Sequence, residues 1–290
     1  MKKYDLAIAY RIYPRVSKIP AMHPQDKLAL SELCLRSFRA SLGNLRVKMY
    51  ALLDQCPAEY ESLFLKYFDP DDLELIRLPG VGNLKTFQRQ IELLLEQNHA
   101  DAVYFAEDDY FYRKNEFGSM LEFLRQNPDA DFVSPYDHPD YYSLSLHPRR
   151  QEIRAGASVH WRTAATTCLT FLTTKKVLAK TAGIFSTYSS GNLDVSLWLG
   201  LTKQCFDKPA MLLRFFFSRK QDSSWYFVKL SWKLCWSQII FGPRYRLWIP
   251  IPSIATHMEK AFLAPGIDWG ILFNEESFHN ASPSRLQPDQ

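Results

Sequence analysis

Cysteine is scarce. The five present, Cys34, Cys56, Cys168, Cys205 and Cys235, are widely spaced, odd in number and form no CxxC pair. That excludes a zinc finger and a disulfide framework and points to a reducing compartment. Long Lys/Arg runs are absent too. With 35 basic and 31 acidic residues the net charge is +4, too small an excess for a polyanion binder, so nucleic acid is not an expected partner. No stretch of about 20 apolar residues occurs, and no apolar run follows Met1-Lys2-Lys3. Neither a membrane span nor a signal peptide is expected, and the expected location is cytoplasmic. GxGxxG and the Walker Lys-Ser/Thr are missing: the tight loop Pro79-Gly80-Val81-Gly82-Asn83 matches neither. No internal repeat is visible.

What is present is apolar and aromatic. Hydrophobic residues make up 47% and aromatics 14% of the chain, ample for one large core, and a mean hydropathy of -0.24 suits a soluble protein. Strand and helix patterns alternate through the first half. Tyr4 to Tyr10 reads as a strand. Arg11 to Pro24, with three prolines, reads as a loop carrying Arg11, Arg15 and Lys18, which either face a phosphate or are simply solvated. Gln25 to Leu42 has helical spacing and stops at Gly43-Asn44. Leu45 to Leu53 reads as a second strand with Asp54 at its end, placed to accept from a nucleobase or ribose or to cap the next turn. Leu73 to Leu78 is a third strand, and a helix over Leu84 to Gln97 follows the tight loop. This alternation predicts an α/β fold with a mostly parallel sheet covered on both faces.

The richest stretch comes next. The apolar run Ala102-Val103-Tyr104-Phe105-Ala106 enters Glu107-Asp108-Asp109. Three adjacent carboxylates repel, and a partly buried site makes them costly. A hard divalent cation, Mg²⁺ or Mn²⁺, relieves that and is commonly shared with substrate phosphates. The competing reading is a solvated acidic turn. Further on, the patterns predict a helix over Glu116 to Arg125, a strand at Asp131 to Val133, and one strand over Ala165 to Thr173. A short helix over Thr174 to Thr181, a mobile loop over Gly183 to Gly191 and a helix over Asn192 to Gln204 follow. Asp194 lies in the first turn of that last helix, where a negative charge suits the dipole. Ser224 to Phe241 carries Trp225, Trp232 and Trp236 with Lys229, Lys233 and Ser237 on a narrow polar stripe. This reads as an interfacial membrane helix or as a packed helix. Leu247 to Ile251 reads as a late strand, and the chain from Phe273 as a frayed tail.

In their order these pieces resemble the GT-A glycosyltransferases, in particular the large family-two-like bacterial group. The resemblance covers roughly residues 4 to 270. It rests on the Arg-bearing first loop, Asp54 after the second strand, the Gly82-Asn83 loop with its helix, the DxD-like Glu107-Asp108-Asp109, Asp194 with Trp198-Leu199-Gly200, and the downstream His257. It departs at Glu107 in place of Asp, at Gln55 after Asp54, and at Leu193 where a Glu-Asp pair is usual. The resemblance implies a GT-A (Rossmann-like) sheet with a C-terminal helical, membrane-facing appendage: a core over 1–220, a segment over 221–272 completing the site, and a tail over 273–290. It implies transfer of a sugar from a nucleoside-diphosphate (UDP- or GDP-linked) donor to a saccharide or lipid-linked acceptor, with Mn²⁺ or Mg²⁺ bound by Asp109, His257 and Glu107. Arg11, Asp54, Asn83, Asp108 and Lys260 are then donor-binding residues and Asp194 the base of an inverting displacement. Peripheral membrane contact is expected through 224–241. A retaining transferase, a nucleotidyltransferase and a non-catalytic scaffold stay open; the absence of glycine from the first loop weighs against the nucleotidyltransferase.

Overall fold

The computed structural model describes residues 4–16, 18–144, 146–147, 151–204, 206 and 223–278. The strands are β1 Leu6–Ile12, β2 Val47–Asp54, β3 Leu73–Leu78, β4 Ala102–Glu107, β5 Tyr110–Tyr112, β6 Phe132–Val133, β7 Ile153–Arg154, β8 His160–Ala164, β9 Phe171–Thr174, β10 Leu247–Ile251 and β11 Ala255–His257. The first helices are α1 Lys27–Ser41, α2 Ala58–Tyr67, α3 Gly82–Glu96, α4 Phe117–Gln126, α5 Asp140–Ser143, α6 Lys175–Phe185 and α7 Asp194–Thr202; helices over Ser223–Phe241 and Trp269–Phe278 follow.

The central sheet has the order β3-β2-β1-β4-β9-β6-β10-β8-β7. From the pairings, only β8 and β9 run against the other seven strands, so the α/β, mostly parallel expectation holds. Every residue of β1 is buried. Successive side chains of a strand point to opposite faces. Leu6, Ile8, Tyr10 and Ile12 therefore meet α1 through Leu30, Cys34 and Phe38, while Ala7 and Ala9 meet α3 through Phe87, Ile91 and Leu94. Burying each large apolar side chain stabilises by roughly 1.5–3 kcal/mol. Helix α1 starts at Asp26, whose side chain accepts from the Ala29 N–H at 2.9 Å.

Several boundaries differ from expectation, and most shifts come from pairing between distant segments. β1 runs on through Arg11 because its register against β4 continues to Arg11 beside Glu107. β4 ends at Glu107; Asp108 and Asp109 turn the chain into β5, which leaves the main sheet and pairs antiparallel with β11, Tyr110 opposite His257. Of the strand expected over Ala165 to Thr173 only the end from Phe171 pairs, as β9; 165–170 connect it to β8, which carries no reading from the sequence. Helix α2 carries no reading from the sequence. Gly183 lies inside α6, and Ser186–Ser190 form a 3₁₀ turn that ends at Gly191, φ 89°.

The expected C-terminal appendage is corrected. β10 lies within the sheet between β6 and β8, Trp248 has no exposed surface, and β11 carries His257. Residues 223–278 thus complete the core. Phe273 is buried against Phe111, ring centroids 4.9 Å apart, so the tail expected from that residue is helical through Phe278. Residues 207–222 and 279–290 of the expected segments lie outside the described residues. Among the described residues no helix is long and apolar enough to cross a membrane.

Candidate active site

A cleft of about 490 Å³ opens at the carboxyl ends of β1, β2 and β4, lined among others by Arg11, Asp54, Asn83, Glu107, Asp108, Asp109 and His257. Open α/β sheets collect ligands at this edge. Seven of the nine expected site residues therefore share one cavity. Asp194 is not among its lining residues, and Lys260 is exposed outside it.

The acidic triplet is divided among three partners. Glu107 is ion-paired with Arg11, its register neighbour, and its Oε2 accepts from the Thr170 hydroxyl at 2.7 Å. Both carboxylate oxygens are engaged in the cleft wall, so the metal-ligand role expected of Glu107 requires one of these bonds to be given up. Asp108 Oδ2 pairs with Lys27 Nζ at 2.7 Å and accepts from the Tyr13 N–H at 3.2 Å. Burial lowers the pKa of the Lys27 ammonium, but the facing Asp108 and Asp109 outweigh it and hold it charged.

Asp109 differs from both. Its Oδ2 lies 3.2 Å from His257 Nε2, while Oδ1 is buried without a hydrogen-bond partner. Burial works to raise its carboxyl, yet His257, Lys27 and Arg11 outweigh burial and hold it below the usual carboxylate range. His257 Nδ1 accepts from the Glu259 N–H at 3.0 Å, which assigns the neutral ring's proton to Nε2, facing Asp109. Among the described residues no group of three His, Cys, Asp or Glu side chains could cage a cation. A divalent ion still fits here as a guest of two protein ligands, Asp109 and His257, with phosphate and water oxygens supplying the rest. Asp109 Oδ1 is an unused anionic acceptor, and a cation at Nε2 must displace the proton now facing Asp109.

Asp54 takes the second of its two expected roles, capping the turn that follows. Its Oδ1 accepts from Gly80 N–H at 2.9 Å and Val81 N–H at 2.8 Å, and its Oδ2 from Gly82 N–H at 2.8 Å. Three successive amides converge on one carboxylate because Gly80 and Gly82 adopt φ of +85° and +81°, forming an anion nest. The carboxylate holds the loop at the cleft's wall. Asn83 opens the same turn. Its Oδ1 accepts from Arg11, and its amide donates to the Tyr188 hydroxyl at 2.9 Å.

The cleft's cations are mostly spoken for. Lys18 pairs with Glu259 at 2.7 Å and takes the place expected for Lys260. Pro20 bridges to Glu259, which brings the first loop across the cleft. Arg15, also lining it, is exposed. Lys27 was missed in the sequence, yet it carried a signal: it opens α1, where the helix dipole disfavours a cation. Thr170 and Glu259 carried none.

Asp194 opens α7, and its Oδ1 accepts from the Val195 N–H at 2.7 Å. Burial raises its pKa and Glu107 adds to the rise, against the charges of Lys18 and Arg11.

Fold and cleft together define an α/β protein with a paired acidic and basic site at the sheet's carboxyl edge. No protein-family model and no curated protein matches the chain. Among solved structures it is similar to the galactosyltransferase LgtC in complex with donor and acceptor sugar analogs, at 10% identity and TM-score 0.47, over 96% of this chain and 98% of that one. It is also similar to a cytidylyltransferase from Leptospira borgpetersenii serovar Hardjo-bovis, at 12% identity and TM-score 0.35, over 63% of this chain and 65% of that one, under two thirds of its length. Both scores lie below 0.5, and the functional argument rests on the cleft itself.

Proposed function

We propose that the protein is a glycosyltransferase that moves a sugar from a nucleoside-diphosphate sugar to a hydroxyl acceptor by metal-dependent, inverting displacement in the cytoplasm. The observation that carries this reading is Asp109: a half-buried, ionised carboxylate with one unused oxygen, beside His257, in a cleft ringed by Arg11, Arg15, Lys18 and Lys27. A diphosphate brings the oxygen ligands that this half-built cation site lacks.

Asp109 and His257 would hold Mn²⁺ or Mg²⁺, which supplies Lewis-acid neutralisation of the leaving diphosphate. Lys18 and Arg15 add positive charge at the mouth of the cleft. Arg11, fixed by Glu107 and Asn83, sets the floor, and Asp108 remains a candidate donor contact held by Lys27. Asp194 takes the acceptor proton as the hydroxyl oxygen bonds to the anomeric carbon and the bond to the diphosphate breaks. A base so placed contributes about 10²–10⁴-fold. One displacement inverts the anomeric centre. Tyr188, tied to Asn83, makes the 186–190 turn a candidate lid.

The test is release of nucleoside diphosphate from a panel of UDP- and GDP-sugars with Mn²⁺, with the anomeric configuration of the product read by NMR. Metal-dependent release and an inverted product support the reading. No turnover of any donor, with or without metal, counts against it.

A further inference from the structure

The helix over Ser223–Phe241 has two faces that differ in kind. Val228, Ser231, Cys235 and Ile239 are buried at spacings of three and four. On the opposite side Tyr226, Lys229, Lys233, Trp236 and Ile240 are exposed at the same spacings. Tyr226 is 59%, Trp236 52%, Ile240 51% and Phe241 77% exposed, values high for large apolar side chains. Contiguous apolar surface of this kind marks an interaction site.

Charge selects the partner. No acidic residue occurs between Asp222 and Glu259, whereas Lys229 and Lys233 stand within the apolar stripe. Long cationic side chains beside exposed aromatics suit a bilayer interface, where the rings sit among headgroups and the ammonium groups meet anionic lipid. The helix is too polar to span the bilayer. A protein partner of matching shape would be expected to meet the lysines with acids, and a second copy of this face offers none.

The buried face locates this surface relative to the chemistry. At Gly200 of α7 an added Cβ would lie 2.8 Å from the Cys235 Cβ, so the two helices touch at a glycine. Asn192 Nδ2 donates to Cys235 Sγ at 3.3 Å, where the helix breaks, φ -123°. Asn192 precedes by two residues Asp194, at the start of α7. The exposed face and Asp194 therefore belong to one packed unit.

We infer that the outward face of the Ser223–Phe241 helix docks on an anionic bilayer surface. The docking stands on the helix alone.

The test is co-sedimentation of the full chain with phosphatidylcholine vesicles and with phosphatidylcholine–phosphatidylglycerol vesicles. Binding to the second only, weakened by salt and reduced at least about tenfold in Lys229→Glu/Lys233→Glu, is expected, since each lysine near such a surface contributes close to a factor of five. Trp236→Ala should lose binding as well. Both variants change exposed residues, so unaltered melting temperatures and an unaltered Mn²⁺-dependent nucleotide shift establish that the fold and the cleft persist. Absence of binding to the anionic vesicles, or undiminished binding of the Lys229→Glu/Lys233→Glu variant, overturns the inference. So does light scattering that shows self-association through Trp236 without vesicle binding. Failure of the nucleotide shift in the parent protein instead removes the glycosyltransferase reading and leaves docking standing.

Discussion

Asp54 closes β2, and Asp109 follows β4, with only β1 between those strands. Both carboxylates line the same cleft. Asp54 is saturated by three amides of its own loop, and its exposed surface is 2%. Asp109 has one oxygen on His257 and the other on nothing. A buried carboxylate with a full set of donors is part of the scaffold. One left short of donors keeps acceptor capacity open. Residue type and position at a strand end are the same for both; the partners decide.

Substitution separates the cleft's acids by what they do. The largest effect is expected at Asp194, a third acid whose one hydrogen bond is to its own neighbour. Asp194→Asn should lower kcat by up to about 10⁴-fold, the upper range for a general base. In the parent protein burial raises this carboxyl, so kcat/KM should climb with pH through a value above the usual carboxylate range and then level off. Below that value the acid is protonated and cannot accept. The climb should vanish from the pH profile of Asp194→Asn.

Next comes Asp109→Ala. Loss of a cation ligand should cost several kcal/mol in the transition state, about 10³-fold in rate. Its melting temperature should fall modestly at neutral pH, because the carboxylate that His257, Lys27 and Arg11 hold ionised also neutralises them. Asp54→Ala should cost more in stability and less in the chemistry. Three amides lose their acceptor at about 1–3 kcal/mol each. Water entering the open cleft recovers part, leaving a destabilisation of about 2–4 kcal/mol, read by denaturant titration. Any loss of turnover there should follow the disordered loop. The smallest contrast is between two lysines. Lys18→Ala should weaken donor binding by about tenfold, one cleft charge near a phosphate, whereas the exposed Lys260→Ala should leave it within about twofold, both read as KM.

Much of the cleft was legible in the sequence because strands followed by helices put their last residues on one edge. Arg11, Asp54, Asn83 and the triplet all lie at such ends, and an apolar run is enough to find them. What each one touches was not legible. That Glu107 belongs to Arg11 depends on the β1–β4 register, and that Asp54 belongs to its loop depends on two positive-φ glycines. Lys18 stands where Lys260 was expected because Pro20 bridges to Glu259 across more than two hundred residues of chain. The C-terminal segment looked like an appendage for the same reason: β10 has no sequence neighbour in the sheet and enters it between β6 and β8.

The most direct measurement is the melting temperature of the parent protein and of Asp109→Ala with UDP and GDP, each with and without Mn²⁺. A ligand bound only to the native state stabilises it by about 2.7 kcal/mol at a hundredfold excess over Kd. The account predicts an upward shift in the parent protein with one nucleotide, dependent on Mn²⁺ and absent from Asp109→Ala. An equal shift in Asp109→Ala, or no shift with either nucleotide in the presence of Mn²⁺, would contradict it.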